Sequence, residues 1–299
     1  MSKSKRGRGR GPGFKRLVQW ASFILFLLLL LLTGNAQDTG APVDIFMGLD
    51  PLVVAGVLVS GHGLTWVLAG GVLVVLSTIF LGRYFCSMVC PLGASIDAAD
   101  RVYKRRRNKV ALGFRKYKYL ILLAVLAATA FGLPCLHLFP PLSLAERFYG
   151  LLVLPGIYFI LDGLLALGMP VSGALGLDSL YFAEIPVSRF ATLPFVLLVF
   201  VGILAAGRYS PRFWCRYLCP AGAILAFAGR RPVVGRSVND QCVRCGKCAR
   251  ACPMDAVAEN IFDTDFSECT VCLKCRDVCP EEAISFGFLK ARTDWHYTE

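Results

Sequence analysis

The chain has 299 residues, of which 56% are hydrophobic, and a formal net charge of +12. These values exclude an ordinary soluble domain, because the apolar residues are concentrated in runs long enough to cross a bilayer. The basic residues bracket those runs, so they indicate membrane topology and contact with membrane lipid. We expect no nucleic-acid partner.

The N-terminus combines a basic tail with an apolar run. Residues 1–16 hold seven Lys and Arg side chains and no acid, which predicts a cytoplasmic tail. Residues 17–33 form the first predicted span. This run is longer than the apolar region of most signal peptides, and no Ala-x-Ala cleavage site follows it, which favours an uncleaved anchor. Residues 34–63 hold three Asp and no Lys or Arg, so we expect them on the outer side.

Three more spans are predicted, at residues 64–82, 119–133 and 192–207. Basic clusters at their inner ends place both termini on the cytoplasmic side of a bacterial inner membrane. Residues 51–60 are apolar but too short to span, which predicts an interfacial or re-entrant helix. Residues 151–169 are long enough, but a crossing there would invert the topology. We therefore expect this segment to be re-entrant or to lie at the outer interface.

A pair of cysteines recurs at the inner end of two predicted spans. Residues 83–94 read R-Y-F-C-S-M-V-C-P-L-G-A, and residues 212–223 read R-F-W-C-R-Y-L-C-P-A-G-A. The repetition indicates an internal duplication of the membrane part, and the spacing predicts that both thiols of a pair share one helical face. The cysteines concerned are Cys86, Cys90, Cys215 and Cys219. Three interpretations stay open: redox-active thiols or disulfides, ligands of a further iron–sulfur or copper centre, or packing residues.

Cysteines are densest between residues 242 and 280, where the run C-x2-C-x2-C-x3-C-P occurs twice. This spacing is typical of [4Fe-4S] ligands, and in two-cluster proteins the fourth cysteine of each run binds the other cluster. The predicted ligands are Cys242, Cys245, Cys248 and Cys279 for cluster 1, and Cys269, Cys272, Cys275 and Cys252 for cluster 2. A zinc site would use paired cysteines with a longer gap, and disulfides would not explain the repeated proline.

The predicted fold class is mostly α. It combines a polytopic helical membrane domain, with four spans and an internal duplication, and a small α+β two-cluster ferredoxin-like domain. The predicted boundaries are 1–16 for the tail, 17–230 for the membrane domain, 237–288 for the ferredoxin-like domain and 289–299 for the C-terminal tail. The ferredoxin-like domain is net acidic, so it could dock on the basic loop at 101–118 or on a basic redox partner.

Three ionisable residues near the predicted outer face are candidates for binding a quinone: His62, His137 and Asp162. A quinol site needs an apolar slot and groups that accept protons. Ionisable residues at membrane depth are functional candidates by default. Solvation by headgroup water is the simpler explanation for each of them, and a haem held by the two histidines is a further alternative.

The two Cys-x3-Cys-Pro motifs and the following two-cluster region resemble the NapH/NosR-type polyferredoxin membrane proteins. The resemblance covers residues 17–287 and all twelve motif cysteines. It implies a subunit of a quinol-linked oxidoreductase, rather than a stand-alone enzyme, that passes electrons from the quinol pool to a soluble or membrane redox partner. NosR-type proteins also carry a large outer flavin-binding domain, for which this sequence has no segment of sufficient length.

A second resemblance keeps another function open. The CcoG-type copper reductases share the same cysteine architecture and add a further C-terminal domain. The alternatives to electron transfer are therefore a membrane copper reductase or assembly protein that uses the Cys-x3-Cys-Pro thiols, and an anchoring subunit with structural clusters.

Overall fold

The computed structural model describes residues 11–35, 46–61, 68–102, 112–133, 139–160, 163, 193–258 and 260–289. Within these ranges the protein is mostly helical, with one two-stranded sheet near the C-terminus. The helices of the first region are α1 (Gly11–Asn35), α2 (Pro51–Val59), α3 (Ala69–Leu81), α4 (Phe85–Met88), α5 (Pro91–Val102), α6 (Tyr117–Ala130), α7 (Pro141–Ile160), α8 (Leu193–Ala206) and α9 (Pro220–Ala228). The C-terminal region holds β1 (Val234–Val238), α10 (Lys247–Ala251), α11 (Lys274–Asp277) and β2 (Ile284–Phe288).

Helices α1, α3, α5, α7 and α8 share one apolar core. Phe148 of α7 stacks on Phe200 of α8, with ring centroids 3.6 Å apart and 5° between the ring planes. A π-helical turn over Tyr149–Val153 interrupts α7, and the Tyr149 ring also packs edge-on against Phe26 of α1. These rings hold three helices together at one level of the bundle.

The outer faces of these helices are apolar as well. Leu73 of α3 is 66% exposed and Leu198 of α8 is 72% exposed. By length and composition, two described helices could cross a membrane, namely Gly13–Thr33 and Pro141–Ile160; the apolar helices Ala69–Leu81 and Pro194–Ala206 are shorter. The predicted number of four spans is therefore not confirmed, and α7 contains part of the segment that the sequence predicts not to cross.

Helix α2 is the short apolar helix expected at residues 51–60. It begins where the Asp50 carboxylate caps the backbone N–H of Leu52 at 2.9 Å, with Pro51 in the first turn. Leu52 is fully buried and packs in one cluster with Val125 of α6 and Cys219. The helix therefore lies against the second Cys-x3-Cys-Pro motif.

The C-terminal region is closed by its sheet. Strands β1 and β2 are antiparallel, with Val234 opposite Phe288 and Val238 opposite Ile284. The sheet joins the two ends of the region and begins three residues before the predicted domain start at 237. A small core of Cys248, Val257, Cys275 and Ile284 lies beside it.

Candidate metal centres

The C-terminal region contains a first cavity, site 1, lined by four cysteines. These are Cys242, Cys245, Cys248 and Cys279. Three come from the first cysteine run, and the fourth is the last cysteine of the second run. The structure therefore brings together the residues that the sequence assigns to cluster 1.

A second cavity, site 2, has the reciprocal composition. Its cysteines are Cys269, Cys272 and Cys275 of the second run and Cys252 of the first. Burial raises the pKa of both Cys269 and Cys275 to about 12, so as free thiols they would be protonated at neutral pH. Metal binding requires thiolates and releases those protons, so buried thiols of this kind suit a site that is loaded with metal.

The backbone around the two sites repeats in detail. In or beside the two cysteine runs, six residues have positive φ angles, and a seventh, Arg212, lies before α9. All of them except Gly246 are residues other than glycine. The positions are Arg212, Arg244, Gly246, Asp255, Val271, Leu273 and Glu282. Three pairs of them, Arg244 with Val271, Gly246 with Leu273 and Asp255 with Glu282, occupy equivalent places in the two runs. Residues other than glycine rarely adopt this backbone conformation, and it recurs at functional sites. Its repetition shows that both loops wrap their cavities in the same way.

Arg236 on β1 lies between the two sites. Its side chain lines site 2, and its Nη2 donates to the Sγ of Cys248 in site 1 at 3.6 Å. Nη1 donates to the carbonyl of Ile261 and to the hydroxyl of Thr264. Among the residues that the structure describes, its Nε has no hydrogen-bond partner. A buried cation with a spare donor fits a neighbouring anionic group, such as an iron–sulfur cluster with thiolate ligands.

The two Cys-x3-Cys-Pro motifs pack face to face, and we call their four cysteines site 3. The members are Cys86, Cys90, Cys215 and Cys219. All four are buried, with 4–9% of their surface exposed. None of them forms a disulfide in the structure.

The packing between the two motifs is reciprocal. Arg212 of the second motif donates to the carbonyl of Cys86 in the first, at 3.3 Å. Arg83 of the first motif lies against the second, since its Nη2 is 3.0 Å from the position that a Cβ on Gly222 would occupy. Both arginines are fully buried. Each motif thus places its arginine against the other motif.

The prediction that both thiols of a pair share one helical face is wrong. Cys86 lies in α4 and Cys215 in a π-helical turn, but the following proline starts a new helix in each copy. Cys219 is the N-cap of α9, and its sulfur accepts from the N–H of Gly222 at 3.3 Å. Burial raises the pKa of the Cys219 thiol, and the hydrogen bond from Gly222 at the helix N-terminus only partly opposes that shift.

The C-terminal region docks on the helices through buried charges. Glu268, one residue before Cys269, accepts from Arg83 Nη1 at 3.0 Å and from Lys118 Nζ. Burial by itself would raise the pKa of Glu268, but these two cations hold it below 4.5. Arg115 pairs with Asp265 at 3.1 Å at the rim of the same contact. Of the two alternatives for the acidic domain, the structure shows docking on the end of the basic loop at 101–118.

Asp97 of α5 forms a second charged junction. It accepts from Arg212 Nε and Nη2 at 3.1 and 2.8 Å and from Lys15 Nζ at 3.0 Å. Lys274 of the ferredoxin-like region lies 3.6 Å away. One carboxylate therefore ties the N-terminal helix, the second motif and the C-terminal region together. The sequence gives no signal for Asp97, since a single acid in an amphipathic helix usually faces water.

The three quinone candidates, His62, His137 and Asp162, lie outside the described residues. In the described ranges, no group of three or more His, Cys, Asp or Glu side chains converges on a single metal ion. A cubane distributes its four thiolates over four irons, so its ligands do not converge on one point.

Comparison with known proteins agrees with this geometry. A family described as "4Fe-4S binding domain" matches twice, at residues 63–109 and 192–238. A family described as "4Fe-4S dicluster domain" matches residues 235–280. The first two matches cover the two Cys-x3-Cys-Pro motifs, and the third covers sites 1 and 2. Iron–sulfur binding is thus supported for the two-cluster region and for the duplicated motifs.

Several curated proteins are similar to the chain. "Methylamine utilization ferredoxin-type protein MauN" of Methylobacillus flagellatus is 24% identical over 80% of this chain and 74% of its own length. "Ferredoxin-type protein NapH" of Escherichia coli is 28% identical over 68% of this chain and 60% of its own length. "Putative electron transport protein YccM" of the same organism is 27% identical over 71% and 52%. The chain thus spans less than two thirds of the latter two. No solved structure matches at a comparable level.

Proposed function

The chain is a NapH-type 4Fe-4S ferredoxin protein, and on this premise we propose that it is a membrane-bound electron carrier between the quinol pool and a redox partner. Sites 1 and 2 would each hold one [4Fe-4S] cluster, which supplies reversible one-electron chemistry when bound. The chain itself supplies the ligands, the charges around them and the attachment to the membrane. We propose a role as a subunit of a quinol-linked oxidoreductase rather than as a separate enzyme.

The observation that carries this proposal is the crossed composition of the two cavities. Each contains three cysteines of one run and the fourth of the other, as expected for two adjacent clusters. Arg236 contacts both sites, and the hydroxyl of Thr270 at site 2 has no hydrogen-bond partner within the described ranges. These buried donors fit anionic clusters better than they fit neutral thiols.

The apolar outer faces of α1, α3, α6 and α8 support attachment to a bilayer. Lys15, near the start of α1, and Lys274, in the ferredoxin-like region, both lie beside Asp97. The basic end of α1 is therefore on the same side of the helices as sites 1 and 2. Under the positive-inside rule, this arrangement favours a cytoplasmic N-terminus and cytoplasmic clusters in an inner membrane. Any partner that exchanges electrons with sites 1 and 2 would then meet the protein on that side.

Quinol is proposed as the electron donor because the resemblance to NapH-type proteins implies it, and because helices with apolar outer faces, which could meet a bilayer, adjoin the region that holds sites 1 and 2. A quinol gives up two electrons and two protons, so a site for it needs a proton acceptor beside an apolar slot. The candidates for such a site remain those predicted from the sequence, namely His62, His137 and Asp162.

Anaerobic membranes containing the full chain would test the proposal. Addition of a menaquinol or ubiquinol analogue is expected to bleach the iron–sulfur absorption and to produce the electron paramagnetic resonance signals of reduced [4Fe-4S] clusters. The matched control is Cys245→Ser, which removes a ligand of site 1 and is expected to lose one of the two signals. Clusters that dithionite reduces but quinol does not would refute the quinol link. A protein without iron would refute the carrier itself.

A further inference from the structure

We infer that site 3 holds a third [4Fe-4S] cluster, shared between the two copies of the Cys-x3-Cys-Pro motif. Each copy has two cysteines, which is half of the four thiolates that such a cluster binds. A family description names 4Fe-4S binding for each copy separately. The structure instead makes the site a joint one, because neither copy can complete it alone.

The first argument is the arrangement of the thiols. Cys86, Cys90 and Cys215 belong to one buried core, and Trp214 connects that core to the smaller one that contains Cys219. In the first copy, a Cβ on Gly93 would lie 3.6 Å from the Cβ of Cys90. In the second copy, a Cβ on Gly222 would lie 3.4 Å from the Cβ of Cys219. Equivalent glycines thus let the start of each helix fold closely over its second cysteine.

The second argument is a buried cation with spare donors. Arg83 is fully buried, yet in the described part of the chain its Nε and Nη2 have no hydrogen-bond partner. Nη2 lies beside Gly222 of the second motif, 3.0 Å from the position that a Cβ there would occupy. Leaving two donors of a buried guanidinium unpaired is costly. A cluster with four thiolate ligands is anionic and offers sulfurs that accept hydrogen bonds, so it would satisfy both donors.

The third argument concerns alternatives. A copper or zinc ion needs ligands that converge on one point, and the described residues form no such group at site 3. Structural packing would explain burial of the thiols, but it gives no reason for the orphaned donors of Arg83. Four cysteines on a cubane satisfy both observations, since each thiol loses its proton and binds one iron.

The position of site 3 places it on the route to site 2. Nη1 of Arg83 donates to the carbonyl of Ser267 at 2.9 Å and to Glu268, and Cys269 of site 2 follows directly. The hydroxyl of Ser87, one residue after Cys86, donates to the carbonyl of Thr270 at 2.7 Å. A cluster at site 3 would therefore lie between the apolar helices and the two clusters of the carrier proposed above.

The test is the iron and sulfide content of the full chain, purified without oxygen in mild detergent. About twelve irons per chain are expected, against about eight for two clusters. Cys86→Ser and Cys219→Ser should each lose about four irons, and the double variant should lose the same four, because both residues serve one cluster. Cys135→Ser, which changes the cysteine outside the motifs, should lose none.

Retained signals from sites 1 and 2 in Cys86→Ser would show that the variant has folded. About eight irons in the wild type, unchanged by Cys86→Ser, would overturn the shared cluster and leave the proposed carrier intact. Loss of about eight irons in the double variant, with about four in each single variant, would also overturn it, because two separate centres would then exist. A disulfide detected by thiol alkylation, or stoichiometric copper in place of iron, would overturn it as well.

Discussion

Arg236 donates from Nη2 to the Sγ of Cys248 at 3.6 Å while its side chain lines the opposite cavity, site 2. One buried guanidinium therefore faces both predicted clusters of the C-terminal region. A positive charge and a hydrogen bond to a cluster sulfur both stabilise the reduced form, which carries one more negative charge. Arg236 is thus placed to raise the reduction potential of both clusters together.

Arg236→Met should lower both reduction potentials. The expected shift is about tenfold in the reduction equilibrium, or about 59 mV for a one-electron couple, measured by redox titration followed with electron paramagnetic resonance. Arg236→Lys keeps the charge and should restore part of the shift. The control is Arg250→Met, at an exposed residue of the same region whose charge is screened by solvent. Equal shifts in Arg236→Met and Arg250→Met would contradict the specific role of Arg236.

Glu268→Gln should weaken the contact between the ferredoxin-like region and the helices. The substitution leaves Arg83 and Lys118 as buried cations without their carboxylate, and breaking a buried pair from one side costs about 3–5 kcal/mol. The measurement is resistance of the C-terminal region to limited proteolysis, together with the unfolding midpoint. Lys118→Met combined with Glu268→Gln should recover part of the loss, because one of the two unpaired charges is removed.

The matched control for that experiment is Asp255→Asn. Asp255 pairs with Arg216 at 2.8 Å in the same interface, but its side chain is 48% exposed. Pairs of this kind contribute about 0–1 kcal/mol, so proteolysis should change little. If Asp255→Asn were as damaging as Glu268→Gln, burial would not be the property that distinguishes the two pairs.

The ferredoxin-like region was predictable because cysteine spacing encodes it directly. The runs at Cys242 and Cys269 fix a repeated loop, and their equivalent positive-φ positions follow from that repeat. The presence of helices α1 and α2 was also predictable, because apolar runs mark both of them. The extent of the second span stays a prediction: residues 64–82 were predicted, α3 covers Ala69–Leu81, and residues 64–67 lie outside the described residues. Apolar composition does not mark where a helix begins.

The charges that join the two regions could not be predicted. Glu268 and Asp97 are single acids in sequences with many exposed acids, and only the tertiary structure brings them to Arg83 and Arg212. The same limit applies to Arg236, whose neighbours at Ile261 and Cys248 are distant in the chain. The break in the helix between Cys86 and Cys90 could have been predicted, because Pro91 favours the first turn of a new helix.

Asp97 should make the free energy of unfolding depend on pH in the acid range. Burial by itself would raise the pKa of Asp97, but the charge and hydrogen bonds of Arg212, with Lys274 and Lys15, hold the pKa well below 3.8. A carboxyl with a lowered pKa adds stability that is complete above about pH 4 and is lost as the pH falls toward the folded-state pKa. Helical circular dichroism during unfolding, at pH values between about 3 and 7, would measure this.

In that experiment, Asp97→Asn should be less stable than the wild type at neutral pH, by about 3–5 kcal/mol, because Arg212 and Lys15 lose a buried partner. The difference between the two proteins should shrink as the pH falls below about 4, because the carboxyl of the unfolded wild-type chain is then protonated and unfolding takes up a proton. Asp240→Asn, at an exposed carboxylate, carries the same iron–sulfur sites and should follow the wild type throughout. A constant difference between Asp97→Asn and the wild type across the acid range would contradict the role of this carboxylate.

Gly93 and Gly222 offer a matched test of the close approach at site 3. A Cβ on Gly93 would lie 2.5 Å from the carbonyl oxygen of Cys86, which is backbone and must move. A Cβ on Gly222 would lie 3.0 Å from Nη2 of Arg83 and 3.2 Å from the carbonyl oxygen of Cys215, where the arginine can yield. Gly93→Ala should therefore cost more, about 1–3 kcal/mol as for other overpacked sites, and should lose more iron from site 3 than Gly222→Ala. Equal iron content and equal unfolding midpoints in the two variants would show that the motifs are not packed as tightly as the structure indicates.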